Sequence, residues 1–210
     1  SKIVQVYVES PLVWGIHVDA KSNYQTLSDL ENGKVAISRL GSGSQLMAYV
    51  NANNQGWNTD NLKFEIINTI DGAVESLSKG TSDYFMWEKF MTKPLVDKGI
   101  FRKVADCPTP WPCFVIAVRD EVLKKHPNTI AQILEIINVQ TQSFKEIEGI
   151  TAVLAQKYHQ KIEDIQEWLS ITEWSQSALS KEMLNKIQNQ LFDLKIIDKK
   201  GTFAKIVKAL

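Results

Sequence analysis

The chain has 210 residues, 44% of them hydrophobic, with 24 Lys plus Arg against 24 Asp plus Glu, which is enough for one large core or two smaller lobes. The charges cancel and no basic block or basic helix face stands out, so a nucleic-acid or other polyanion partner finds no electrostatic footprint. No apolar run reaches the length of a membrane helix, and residues 1–10, SKIVQVYVES, hold neither the charged n-region nor the long h-region of a secretory signal.

In chain order, alternating apolar residues predict strands over 2–8 and 12–18, separated by Ser10-Pro11, and a third over 34–38. Residues 44–54 read as a helix that stops at Gly56, and 62–68 as a strand. A helix over 71–80 is opened by Asp71 and closed by Gly80, a buried strand follows at 83–88, then a helix over 89–98 ended by Gly99, then a strand at FRKVA, 101–105. This β-α-β-α-β cadence predicts a mostly parallel sheet with helices on both faces.

CFVIAVRDEVL, 113–123, reads as one more strand running into a turn, and from about residue 127 the pattern is helical. Pro127 sits at a helix start, ahead of an apolar stripe of Ile130, Ile133, Leu134, Ile136 and Ile137. Later stripes run through Ile150, Val153 and Leu154, then Ile162, Ile165, Trp168 and Leu169, then Leu184, Ile187, Leu191 and Leu194. The strands at 12–18 and 113–118 flank the compact block, which predicts two chain crossings between hinged lobes and a ligand held between them.

The most informative stretch is ISRLGSGSQLMAYV, 37–50. A strand ending at Ser38 and a helix starting near Ser44 leave the amides of the first helical turn aimed at one spot, at the positive end of the helix dipole, where an anion is favoured. Gly41 and Gly43 let the backbone approach a ligand, Ser42 and Ser44 add hydroxyls, and Arg39 adds a charged fork. A plain strand-to-helix turn with Ser42 or Ser44 as N-cap explains the same residues.

In SDYFMWEKFMTKPL, 82–95, Trp87 and Glu88 fall at the end of a predicted parallel strand, where Trp87 can stack on a flat ligand and Glu88 can accept a ligand N–H or pair with Arg39. The alternative is a core tryptophan and a dipole-favoured glutamate in a first helical turn. CPTPWPCFV, 107–115, is stiffened by three prolines and offers Thr109 and Trp111, which match Ser10 and Trp14 of the first crossing.

Catalytic groups are sparse. His17 lies in a strand, His126 before a helix-starting proline and His159 on an exposed helix part, and each reads as structural or solvated. GSGS is neither a hydrolase elbow nor a phosphate loop. Cys107 and Cys113, with no histidine nearby, make no zinc site, and no cofactor is called for.

In this order, SPLVWGIHV, LSDLENGKVAISRLGSGSQLMAYV, LSKGTSDYFMWEKF and CFVIAVRDEVLKKHPNTIAQILEII resemble the type II periplasmic-binding-protein superfamily. The branch it is most similar to holds nitrate, taurine and alkanesulfonate receptors and the thiamine-pyrimidine binding and synthesis proteins. Asp29 to Ser44 match the family's D-L-x-G-K strand and Ser/Gly turn, and Gly80 to Glu88 match its second-lobe strand.

The resemblance implies an α/β fold of the periplasmic-binding-protein-like II class, with a three-layer α/β/α lobe, hinge strands and a C-terminal helical portion of the other lobe. It implies a first-lobe strand and hinge at 1–19, a complete second lobe at 20–118 and the first lobe's C-terminal helices at 119–210. By the same resemblance the chain is a solute-binding protein for an ABC-type transporter, in the periplasm or cell envelope, with the cytoplasm left open. Ser42, Gly43, Ser44 and Arg39 would grip an anion or polar head; Trp14, Trp87 and Trp111 would stack; Ser10, Glu88 and Thr109 would hydrogen-bond.

Two alternatives stand beside it: an enzyme of the pyrimidine-synthesis type, or a non-transport ligand sensor. The pyrimidine-synthesising relatives carry a cysteine run where this chain has only Cys113, which weakens the enzyme. The family's first lobe opens with a β-α-β-α unit that has no counterpart here, so the uncovered helix faces predict self-association.

Overall fold

Short runs of β-branched and aromatic residues, punctuated by glycine, proline and serine, set the strands, and serine or threonine N-caps set many of the helix starts. In the computed structural model, which describes residues 1–208, the elements in chain order are β1 (Lys2–Val8), β2 (Val13–Asp19), β3 (Lys34–Ile37), α1 (Gly43–Gln55), β4 (Lys63–Ile66), α2 (Ile70–Ser78), β5 (Tyr84–Glu88) and α3 (Lys89–Asp97). They continue as β6 (Phe101–Pro108), β7 (Phe114–Val118), α4 (Asp120–Lys125), α5 (Pro127–Ser143), α6 (Ile150–Tyr158), α7 (Ile162–Ile171), α8 (Lys181–Asp193) and α9 (Phe203–Ile206).

Two compact units result, one made of 1–11 with the chain from 110 onward, the other of Leu12–Thr109. These bounds differ from the expected 20–118 because β2 pairs with β5 and β6 inside the second unit, whereas β7 pairs with β1 inside the first. Thr109 and Leu12 close the second unit: the Thr109 N–H donates to the Leu12 carbonyl and the Leu12 N–H to Thr109 Oγ1, each at 3.0 Å.

The second unit is a five-stranded sheet of order β4-β3-β5-β2-β6. β3 runs parallel to β4 and β5, but β2 runs antiparallel to both β5 and β6. Four of the five strands therefore run the same way and β2 alone runs against them: it arrives from the first unit without a crossover helix, so the handed β-α-β rule does not fix its direction. Val35, Ala36 and Ile37 of β3 and Tyr84, Phe85 and Met86 of β5 are all fully buried, so both faces are covered. α2 and α3 pack on Ala36, Phe85 and Phe101, while alternation turns Val35, Ile37, Tyr84 and Met86 to the other face, the one α1 occupies.

β2 also carries His17, fully buried, whose Nε2 lies 2.9 Å from Thr92 Oγ1 in α3. A Cβ at Gly15 would stand 2.5 Å from the imidazole Cε1, so glycine there makes the room that the ring fills.

In the first unit β1 and β7 form an antiparallel pair, and the other edge of β1 bonds to the 173–177 segment through Val6 N–H to Ser177 O, Ser175 N–H to Tyr7 O and Glu9 N–H to Glu173 O. Three small cores follow from this: Val4 with Leu123 and Leu134; Val6 with Leu179, Leu184 and Val207; and Leu154 with Ile165 and Leu169. Of the predicted stripe on α5, Leu134 is buried, but Ile133 and Ile136 are 45% and 63% exposed. Among the described residues no helix is long and apolar enough to cross a membrane.

Burial pulls the His17 pKa from 6.5 down to about 4, assisted by Lys103 and opposed by the Phe85 backbone and Asp106. The unfolded chain then takes up the proton first as pH falls. The neutral ring's contribution is complete above pH 6.5 and declines by about 3 kcal/mol on the way to pH 4. Urea unfolding at pH 7 and pH 4.5 should show this loss, and a His17→Gln variant, which does not titrate in this range, should show a shallower one.

Candidate anion-binding edge of the second unit

Because β3, β4 and β5 run in one direction, their C-terminal ends share one edge of the sheet, and each leads into a helix: α1, α2 and α3 in turn. α1 leads from β3 outward to β4, and α2 leads back to β5 on the other side of β3. The gap between the ends of β3 and β5 is thus a topological switch point, the place where open α/β sheets hold ligands.

The three helix N-termini at this edge differ in how their amides are used. In α2, Thr69 Oγ1 accepts from the Gly72 N–H at 3.1 Å and Asp71 adds a carboxylate to the first turn. In α3, the Glu88 carboxylate caps its own helix, accepting from Phe90 N–H at 3.1 Å and Met91 N–H at 2.8 Å. α1 has no acidic residue in its first turn. Its N-cap Ser42 accepts from Gln45 N–H at 3.3 Å, and the Gly43 and Ser44 amides have no acceptor among the described residues.

A buried hydroxyl network holds this turn. Ser44 Oγ accepts the Ser38 N–H at 3.0 Å and lies 2.9 Å from Ser42 Oγ and 3.4 Å from Ser38 Oγ. Trp14 of β2 packs on the same turn: a Cβ on Gly43 would meet its ring at 3.1 Å. The Trp14 ring stands edge-on to Trp87, with centroids 6.1 Å apart, and its indole N–H is buried without a partner among the described residues. Trp87 in turn stacks on Phe85 at 5.6 Å. Arg39 lies exposed on the loop, and its side chain makes no hydrogen bond or ion pair among the described residues.

Residues 14–107 match the family model described as Ca3427-like PBP. Among solved structures, the Candida albicans CA3427 gene product, described as exhibiting the generic periplasmic binding protein structural fold, aligns with a TM-score of 0.85 at 21% identity, covering 95% of this chain and 68% of that one. The fold is that of the periplasmic binding proteins. The alkanesulfonate-binding protein SsuA from Xanthomonas axonopodis pv. citri, bound to MOPS, aligns at 0.81 and 16% identity over 100% of this chain and 74% of its own. The periplasmic aliphatic sulphonate binding protein SsuA from Escherichia coli aligns at 0.69 and 20% identity over 99% and 73%. No curated protein sequence matches the chain.

Within the periplasmic-binding-protein fold, the structure gathers Trp14, Ser42, Gly43, Ser44, Trp87 and Glu88 at the β3/β5 edge, with Arg39 on the adjoining loop. Several site candidates have structural tasks, which for Ser44 and Glu88 are close to the alternatives their sequence context offers. Ser44, 1% exposed, serves the turn; Thr109 clasps Leu12; and Glu88 caps α3 rather than pairing with Arg39. Burial raises the Glu88 pKa, with the Met91 and Phe90 amides opposing. Ser10 and Trp111 belong to the first unit, where Ser10 Oγ accepts the Glu173 N–H at 3.0 Å. At the same edge, the sequence marks Ser38 only as a strand end and gives Asn68 and Thr69 no role, although Thr69 three residues before Gly72 is a legible N-cap.

Two substitutions separate scaffolding from binding. Ser44→Ala leaves the buried Ser38 amide unpaired and should cost about 1–3 kcal/mol in chemical denaturation. Glu88→Ala removes the α3 cap and should cost about 1 kcal/mol, whereas Glu88→Gln, which keeps an accepting oxygen, should cost less.

Proposed function

We propose that this chain binds a small organic anion at the first turn of α1 and delivers it to a transporter of the ABC type in the cell envelope. The observation that carries the reading is the charge asymmetry among the three helix N-termini: Asp71 stands in the first turn of α2 and Glu88 caps α3, whereas the first turn of α1 holds two amides without an acceptor among the described residues and no acidic residue. The Gly43 and Ser44 N–H groups would donate to the head group, and the exposed Arg39 would add a charged fork. Trp14 and Trp87 would flank an apolar or heteroaromatic tail.

The two SsuA proteins bind sulfonates, and one holds MOPS, a sulfonate with a heterocyclic tail. That pairing of charged head and ring fits the amide-and-tryptophan arrangement here, and supports a sulfonate or carboxylate as the class. Glu88 opposes an anion less than its formal charge suggests, since its oxygens face two α3 amides and burial favours its neutral form.

We assign the site binding without bond-making. Burial pushes the Cys107 and Cys113 thiols up to about 11, so neither is an activated nucleophile, and His17 is spent on packing against Thr92.

Thermal unfolding against methanesulfonate, taurine, MOPS, nitrate and short carboxylates tests this. At least one organic anion should stabilise the protein, by about 2.7 kcal/mol at a hundredfold excess over its Kd. Arg39→Ala, at an exposed and unpartnered position, should leave the apo Tm unchanged and weaken binding, and added salt should weaken it in the same direction. If no anion stabilises the protein, the reading is wrong and the α1 turn is only a helix cap.

A further inference from the structure

The first unit carries a cavity of about 400 Å³ between β1, α5 and the segment 176–178, and all of its lining residues belong to that unit. The floor is polar in a strand whose other buried positions are valines: Gln5, 3% exposed, stands between the buried Val4 and Val6. Its Nε2 donates to Asn138 Oδ1 at 2.7 Å and to the Ser175 carbonyl at 3.1 Å, and its Oε1 accepts from Asn138 Nδ2 at 3.2 Å. One buried carboxamide thus ties α5 and the 173–177 segment to the same point of β1.

One wall of the cavity is a free strand edge. The 173–177 segment bonds to β1 through the Glu173 and Ser177 carbonyls and the Ser175 N–H. Alternation along an extended chain turns the backbone groups of Gln176 and Ala178 away from β1, and neither their N–H groups nor their carbonyls have a partner among the described residues. The opposite wall is one face of α5, where Glu135, Asn138 and Gln142 recur at helical spacing. Glu135 is the only charged residue in the lining, and its carboxylate makes no ion pair or hydrogen bond among the described residues.

An unpaired main-chain edge beside carboxamides, each able to donate and accept, matches the peptide group, and a lone carboxylate matches a cation. We propose that this cavity binds a short, free oligopeptide in extended form, its main chain added along residues 176–178 and a lysine or arginine side chain paired with Glu135. The volume is that of a small-ligand site rather than of a protein interface. From Glu135 to Gln142 α5 rises about 10 Å, the length of about three extended residues, which sets a tripeptide as the core of the ligand. The site lies in the other unit from the α1 turn and does not depend on the reading of that turn.

Calorimetric titration of the end-capped tripeptide Ala-Lys-Ala into the whole chain tests it, against Ala-Glu-Ala and against Ala-Lys-Ala with N-methylated main-chain amides. Ala-Lys-Ala should bind, and the acidic and N-methylated peptides should bind at least about tenfold more weakly. Glu135→Lys, at an exposed helix position, should keep the wild-type Tm and raise the Kd for Ala-Lys-Ala about tenfold or more. If wild type does not bind Ala-Lys-Ala, or if binding survives both N-methylation and Glu135→Lys, the proposal is wrong. If no peptide binds and sedimentation shows wild type associating where Glu135→Lys does not, the groove holds a second copy of the chain and the proposal falls.

Discussion

The second unit depends on β2 lying between β5 and β6. This one strand touches both layers of helices from opposite faces. Trp14 meets the first turn of α1, and His17, three residues on, meets Thr92 in α3. Alternation along the strand makes this division unavoidable, and Gly15, on the His17 face, clears the space the imidazole needs. Trp14 of the candidate site and the fully buried His17 are therefore both set by a single seven-residue segment. A one-residue slip of β2 would exchange the two faces and lose both.

Charge is distributed over the shared edge with the same economy. Three parallel strands deliver three helix N-termini to one side of the sheet, and three positive dipole ends in proximity would compete for anions. Glu88 caps α3 and Asp71 adds a negative charge to the first turn of α2, so the first turn of α1 is the one of the three without an acidic side chain. The serine network beneath it explains how a turn of small residues stays ordered: Ser38, Ser42 and Ser44 satisfy one another, while the Gly43 and Ser44 amides have no acceptor among the described residues.

Much of this was legible in the amino-acid sequence, for reasons that differ by element. The strand at KVAIS and the helix after GSGS carry strong periodicity and cap signals, and both formed where expected. Strand direction was not legible: nothing in VWGIHV states that it runs against its neighbours, because direction is set by where the chain comes from. Roles within the site were only partly legible. Ser44 and Glu88 have the chemistry to bind a ligand, but each found a nearer backbone partner, and local hydrogen bonds of this kind compete with any distant use.

The clasp between Leu12 and Thr109 has a consequence for how such proteins can be rebuilt. The stretch it closes, 12–109, nearly coincides with the 14–107 recognised by the family model. A segment whose two ends are bonded to each other presents them to the flanking chain as two adjacent attachment points. Exchanging it for an equivalent segment would carry the candidate edge along without altering the distance the flanking chain must span.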